Sequence, residues 1–187
     1  MLRRKNARAE EEKKEESAGG VQQQTVKRSP AEIRLKIEYA DLLKDLPPQA
    51  KFWLLDEKDL MKFRVEIDLK DEESIWKGGK YQFECEIPFN YPYEAPKVHC
   101  HTPIYHPNID VEGNVCLNIL RKDWKPVLCV SQVIFGLIFL FLEPNPNDPL
   151  NHEAAAEFRS NLTKFKQTVT ATLKGQSVLG RAYPKMI

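Results

Sequence analysis

Cys116 stands in a stretch whose residue types could carry out a reaction. Tyr105-His106-Pro107-Asn108-Ile109-Asp110 is followed by a Glu112-Gly113-Asn114 turn and then by Val115-Cys116-Leu117. Two turns separate a carboxamide, Asn108, from a thiol, so the chain can bring both to one surface point. A solvent-reachable thiol beside an amide donor suits chemistry in which sulfur carries an acyl group as a thioester and hands it on. The thiolate is the nucleophile, and an unperturbed cysteine, with a pKa near ~8.5, is ionised to only a few per cent at neutral pH. No lysine or second histidine adjoins Cys116 to activate it strongly. A thioester already activated elsewhere tolerates such a thiol.

His106 invites comparison with a cysteine–histidine hydrolase, but the spacing matches none of the local cysteine-protease signatures. A thiol that must preserve its thioester gains nothing from a base that activates water. His106 and Pro107 are therefore expected to be structural, with His106 bonding loop backbone. His99, Cys100 and His101 raise the question of zinc. On a strand the two histidines share one face and Cys100 points away. Paired Cys-x-x-Cys spacing is absent, so no metal is assigned. Cys85 and Cys129 read as core residues.

Several elements must position this loop. Ser29-Pro30-Ala31-Glu32 supplies a cap, a proline at the first helical position and a glutamate three residues after the cap. Ile33, Ile37, Ala40 and Leu43 recur at helical spacing, with Leu35, Tyr39, Leu42 and Leu46 widening that face. Arg34, Glu38, Asp41 and Asp45 are placed opposite, and Pro47-Pro48 stops the helix. Short strands follow. Lys51 to Leu55 is aromatic, while Phe63 to Leu69 and Tyr81 to Ile87 alternate apolar and polar residues. Each reads as a half-buried antiparallel strand. Gly78-Gly79 marks the turn between the second and third, and Lys97 to Cys100 forms a fourth. Residues 101 to 130 lack sustained periodicity. Ser131 is placed as the cap of a helix running to about Leu142, which Glu143-Pro144-Asn145-Pro146 ends. Asn151 to about Lys174 reads as one long or two shorter helices stopping at Gly175. The fold class is α+β: an N-terminal helix, a four-stranded antiparallel meander, an active-site loop and C-terminal helices outside one sheet.

Composition narrows the class. The 187 residues are 42% hydrophobic and 29% charged, enough for one real core. Residues 1–28 are charged and nearly free of apolar side chains, so they read as a disordered docking tail ahead of a core domain at 29–187. A formal net charge of +1, with basic residues scattered, argues against a nucleic-acid binder. The longest apolar run, Val127 to Leu142, is interrupted and too short for a bilayer, so no membrane role is assigned. With a charged N-terminus and a full core that needs no disulfide staples, the four cysteines point to a reducing intracellular compartment; cytoplasm and nucleus are the expected location.

Seven strings fall in register with one family: Gly78-Gly79-x-Tyr-x-Phe, Ile87-Pro88-x-x-Tyr91-Pro92, Pro96-Lys97-Val98, His106-Pro107-Asn108-Ile109, Gly113-x-Val-Cys116-Leu117, Trp124-x-Pro126 and Asp148-Pro149-Leu150. Over residues 29 to about 175 the chain resembles the ubiquitin-conjugating enzymes. Asn118 to Arg121, Trp124 to Leu128, Phe141 to Pro146 and Glu15 to Gly20 look like the branch that serves the Nedd (Rub) modifier in neddylation.

The resemblance implies that Cys116 accepts the modifier's C-terminal glycine from a heterodimeric activating enzyme and passes it to a lysine, on a cullin, with a RING ligase. ATP is used by the activating enzyme, so no cofactor is bound, and the protein is expected to be a monomer. The resemblance implies two readings of Asn108: a donor to the oxyanion, where losing one donor costs about 100-fold or more, or a turn residue bonding its own backbone. It places Asp148 at the mouth of the site, where it orients the lysine or favours its neutral amine; the alternative is a cap for the following helix. Tyr93, Pro126 and Val127 fall where the family meets its ligases, with loop packing as the alternative. Met1, Leu2 and Arg34 are candidates for docking the activating enzyme. A ubiquitin-specific conjugating enzyme and a non-catalytic binding module of the same fold are the rival readings.

Overall fold

In the computed structural model residues 29–70 and 73–187 are described. The tail at 1–28, with Met1, Leu2 and the Glu15 to Gly20 run, lies outside them. Helix α1 spans Pro30–Asp45. Its start is the capping box read from the sequence: Glu32 N–H donates to Ser29 Oγ at 3.2 Å and Ser29 N–H donates to the Glu32 carboxylate at 2.7 Å. Four strands follow, β1 (Ala50–Asp56), β2 (Asp59–Asp68), β3 (Lys80–Glu86) and β4 (Lys97–Cys100), joined in order as an antiparallel meander.

Register explains the burial. Phe52, Val65, Phe83 and Cys100 line up across the sheet, as do Leu54, Phe63, Cys85 and Val98. Period-two alternation puts these residues on one face and Lys51, Arg64, Glu66 and Glu84 on the other. Burial raises the Cys85 thiol far above its usual range, in keeping with an inert core residue.

The apolar faces of α1 are exchanged relative to the expectation. Ala31, Leu35, Tyr39 and Leu42 are buried, whereas Ile33 and Leu43 are more than half exposed and Ile37 and Ala40 face solvent. Both stripes have helical spacing. The sheet has room for one, and Tyr39 decides which: its ring meets Phe52 and Phe63, and its hydroxyl donates to Leu60 O at 2.7 Å. Arg34 and Glu38 do not lie on the solvent face either. The Glu38 side chain is only 9% exposed.

Helix α2 runs Val130–Leu142, and its Gly136, Phe139 and Leu140 line the site. Cys129, not Ser131, is its N-cap. It is half-buried, its sulfur 2.7 Å from Gln132 Oε1, so it is a surface cap rather than a core residue. Phe141 packs against Tyr81, Phe83 and Trp76 beneath the site. The last helical stretch is two helices, α3 (His152–Ser160) and α4 (Leu162–Leu173), divided at Asn161, whose side chain caps α4 by accepting from Lys164 N–H. Among the described residues no helix is long and apolar enough to cross a membrane.

Candidate active site

The irregular segment between β4 and α2 is held by backbone hydrogen bonds. Gly113 lies at φ +90°, and a Cβ there would come within 2.2 Å of Cys100 O, so only glycine lets the turn close on β4. Cys100 N–H donates to Gly113 O at 2.8 Å. Burial alone would raise the Asp110 carboxyl. Hydrogen bonds from the Asn114 side chain and from the backbone of Asn114, Glu112 and Gly113 outweigh it and hold that carboxyl low. Cys116 N–H donates to Asn108 O at 2.8 Å, which fixes the cysteine to the His-Pro-Asn turn.

His106 is completely buried. Its Nδ1 accepts from Asn108 N–H at 2.9 Å, which leaves Nε2 protonated and donating to Leu140 O at 3.1 Å. The ring stacks on Trp76, whose indole N–H donates to Tyr105 O. Burial lowers its pKa to about 3, so the ring is neutral and both nitrogens are used. It cannot serve Cys116 as a base. Pro107 contributes its carbonyl, which accepts from Leu150 N–H at 3.0 Å and Asn151 N–H at 2.9 Å.

Asn108 is 2% exposed, and its carboxamide is fully occupied. Nδ2 donates to Asn145 O at 2.7 Å and to Asp148 O at 3.2 Å, and Oδ1 accepts from Asn145 N–H at 2.8 Å. The donor expected beside the sulfur is spent on the loop after α2, not on Asn108's own turn. In this state Asn108 positions the 143–148 loop, and an N–H free for an oxyanion requires one of these bonds to open.

Cys116 is 6% exposed, so the sulfur is more covered than a freely reachable thiol would be. It opens instead onto a cleft of about 270 Å³, whose walls include Asn108, Ile119, Gly136, Phe139, Glu143 and Asp148. Two charged side chains flank it. Arg121 Nη1 donates to Cys116 Sγ at 3.0 Å, and Asp148 Oδ2 lies 4.0 Å from the same sulfur. The hydrogen bond to Cys116, then the charges of Cys116 and Asp148, raise the Arg121 pKa. Asp148 is exposed, and the cap of α3 is Asn151, which accepts from Ala154 N–H at 3.0 Å. Capping therefore does not explain Asp148.

Neither Arg121 nor Asn145 is singled out by sequence reading. Arg121 follows a 3₁₀ turn, Asn118–Leu120, that folds its side chain back five positions. No motif announces that turn. Ile119 and Leu117 dock on α2 at Gly136, where a Cβ would lie 2.9 Å from each side chain.

A second surface lies apart from the thiol. Tyr93 and Val127 are each 81% exposed, and Phe89 and Pro126 are also open. Trp124 Nε1 donates to Pro92 O at 2.7 Å and ties the two loops together. Arg34, the docking candidate among the described residues, is one-third exposed and already engaged within the fold. It pairs with Glu38 at 2.6 Å, donates to Leu128 O at 2.9 Å and lies over the Tyr91 ring. His99 and His101 have adjacent rings on the sheet's outer face, and Cys100 turns inward to Thr102 O. Among the described residues no group of three possible ligands could hold a metal ion.

Comparison with known proteins agrees with this geometry. The family model "Ubiquitin-conjugating enzyme" matches residues 34–173. A probable NEDD8-conjugating enzyme Ubc12-like of Arabidopsis thaliana is 47% identical over 160 residues, covering 85% of this chain and 84% of that protein. The Nedd8-conjugating enzyme UbcE2M of Drosophila melanogaster is 43% identical over 160 residues, covering 86% of each. The solved structure of S. cerevisiae Ubc12 superposes with a TM-score of 0.77 at 37% identity, covering 99% of this chain and 97% of that one. With the family model spanning every strand and the thiol cleft, the chain belongs to the ubiquitin-conjugating enzyme family.

Proposed function

We propose that this protein conjugates a NEDD8-type modifier: it takes the modifier's C-terminal glycine as a thioester on Cys116 and transfers it to a substrate lysine. The observation that carries the reading is the surroundings of the sulfur. It lies in an open cleft between a guanidinium at 3.0 Å and a carboxylate at 4.0 Å, and the nearby histidine is buried and neutral. Such a site suits accepting and keeping an acyl group, because the nearby histidine cannot act as a base toward water. A lysine at its ordinary pKa of ~10.4 is almost wholly protonated, and the exposed Asp148 is placed to orient it and ease its deprotonation. The choice of modifier rests on the relatives, whose names specify NEDD8.

The rest of the pathway follows from that role. A heterodimeric activating enzyme consumes ATP and delivers the modifier, so the conjugating enzyme needs no cofactor of its own. A RING ligase on the Tyr93, Pro126 and Val127 surface brings a cullin substrate to the cleft. The protein acts as a monomer in cytoplasm and nucleus.

The test is a charging assay with activating enzyme, ATP and either the NEDD8-type modifier or ubiquitin. A band with the former that disappears with reducing agent, and is absent from Cys116→Ala, supports the reading. Charging by ubiquitin alone overturns the modifier. A band that resists reducing agent overturns the thioester.

A further inference from the structure

We infer that Arg121 is a catalytic residue of the accepting step: it supplies the positive charge that lets Cys116 attack as a thiolate beside Asp148. The inference rests on Cys116 being the acceptor. Arg121 follows the 3₁₀ turn, with its N–H closing the turn on Asn118 O at 3.0 Å. The residue is exposed, yet its side chain reaches back and places Nη1 3.0 Å from Sγ. A neutral thiol is a poor acceptor, whereas a guanidinium donor on a thiolate is a charge-assisted bond.

The charges around the sulfur come from three elements. Arg121 comes from the end of the 3₁₀ turn and Asp148 from the loop after α2, its Oδ2 4.0 Å from Sγ. Glu143, at the end of α2, lines the same cleft. A carboxylate 4.0 Å from the sulfur opposes a thiolate, and the guanidinium at 3.0 Å offsets it. Asp148 is wanted later, when a lysine must approach, so the cation offsets it at the earlier step.

The step balances without any further reagent. Cys116 gives its proton to solvent and attacks the carbonyl carbon of the thioester on the activating enzyme. A new carbon–sulfur bond forms to Cys116, the old one breaks, and the departing thiolate takes up a proton. Acylation leaves sulfur uncharged and a weak acceptor, so the guanidinium is released from it.

The experiment compares the full chain with Arg121→Gln and Arg121→Lys from pH 6.5 to 9. Two rates are read: single-turnover charging from a loaded activating enzyme, and alkylation of Cys116 by iodoacetamide, followed on its peptide. Arg121→Gln should lower both about tenfold at pH 7, with the deficit shrinking as pH rises. Arg121→Lys should recover most of the loss. A deficit of the same size at every pH, or faster alkylation in Arg121→Gln, overturns the inference and makes Arg121 only a cover over the sulfur. If the parent accepts no modifier, the acceptor reading fails by itself, and the alkylation profile still decides the role of Arg121.

Discussion

Asn108 and Asn145 hold each other through two reciprocal hydrogen bonds, Nδ2–H to O at 2.7 Å and N–H to Oδ1 at 2.8 Å. Together with the bond from Asn108 to Asp148 O, they fix the loop that carries Asp148 to the edge of the thiol cleft. Asn108→Ala would leave three backbone groups of the exposed Asn145 and Asp148 without their partner and empty a buried side-chain position. We expect a loss of about 1 kcal/mol in stability, the net worth of the hydrogen bonds lost where water can partly replace them. Discharge onto lysine should slow because Asp148 loses its anchor. Urea denaturation beside single-turnover discharge checks this. Slow discharge with an unchanged urea midpoint would instead favour a direct donation to the oxyanion.

Asp148 itself separates the two half-reactions. It is exposed and caps nothing, so Asp148→Ala should change stability by no more than about 0.5 kcal/mol. Discharge of the charged enzyme onto lysine should fall by about 100-fold, in the range of a lost acid–base contribution. Charging should not fall, since removing a carboxylate 4.0 Å from the sulfur favours the thiolate. Equal losses in both half-reactions would refute this assignment.

Much of the fold was legible because its signals are local. The Ser29–Glu32 capping box and the alternation of Phe63 to Leu69 and of Tyr81 to Ile87 need only a few neighbouring residues to be read. Other features depend on distant partners. Ile33, Ile37 and Ala40 have the spacing of a buried stripe, and only the fit of Tyr39 between Phe52 and Phe63 rejects them. At the site, Cys116 and the His-Pro-Asn turn were legible as a motif. The partners of Asn108 were not, because they lie 37 and 40 residues further along the chain. Arg121 was hidden for a different reason: its contact depends on a 3₁₀ turn that carries no capping or periodicity signal.

His106 makes stability depend on pH. Its pKa is about 3 in the folded protein and ~6.5 when unfolded. A depressed histidine binds its proton more readily in the unfolded chain. Its neutral form therefore supports the fold fully above ~6.5, and that support is lost as pH falls toward 3. The slope approaches about 1.4 kcal/mol per pH unit within that window. Between pH 7.5 and pH 5 the cost attributable to this group is about 2 kcal/mol. Urea midpoints at the two values should show it. In His106→Gln the parent stability falls, since Asn108 N–H and Leu140 O lose well-placed partners, and this slope disappears.

Gly136 is a test of packing behind the sulfur. Alanine in a helix interior gains about 1 kcal/mol over glycine. Here its Cβ would stand 2.9 Å from Ile119 Cδ1 and Leu117 Cδ2, the ends of two flexible side chains. The two effects oppose, so the melting temperature of Gly136→Ala should change little. The displaced side chains belong to the turn that places Cys116 and Arg121, so charging should drop several-fold. An unchanged charging rate would show that the turn tolerates the shift.

Glu38 joins three parts of the molecule near the Tyr93 and Val127 loops. Its carboxylate accepts from Arg34 Nε at 2.6 Å, from Tyr91 O–H at 2.6 Å and from Val130 N–H at 3.0 Å. One side chain of α1 thus holds the loop bearing Tyr93 and the first turn of α2, and Arg34 extends the link to Leu128 O. A carboxylate at the N-terminus of α2 is also favoured by the helix dipole. Glu38→Gln keeps an acceptor but loses the charge, and Glu38→Ala loses both. Stability should fall in that order, the alanine variant by about 3 kcal/mol, as for breaking a largely buried, hydrogen-bonded ion pair. The discriminating measurement compares ligase-stimulated with unstimulated discharge at a temperature where both variants remain folded. The thiol cleft does not include Glu38, so unstimulated discharge should hold. The stimulated rate should fall, because the loops of Tyr93 and Val127 no longer keep a fixed distance. If stimulation persists in Glu38→Ala, the two loops are held by the Trp124 to Pro92 bond alone.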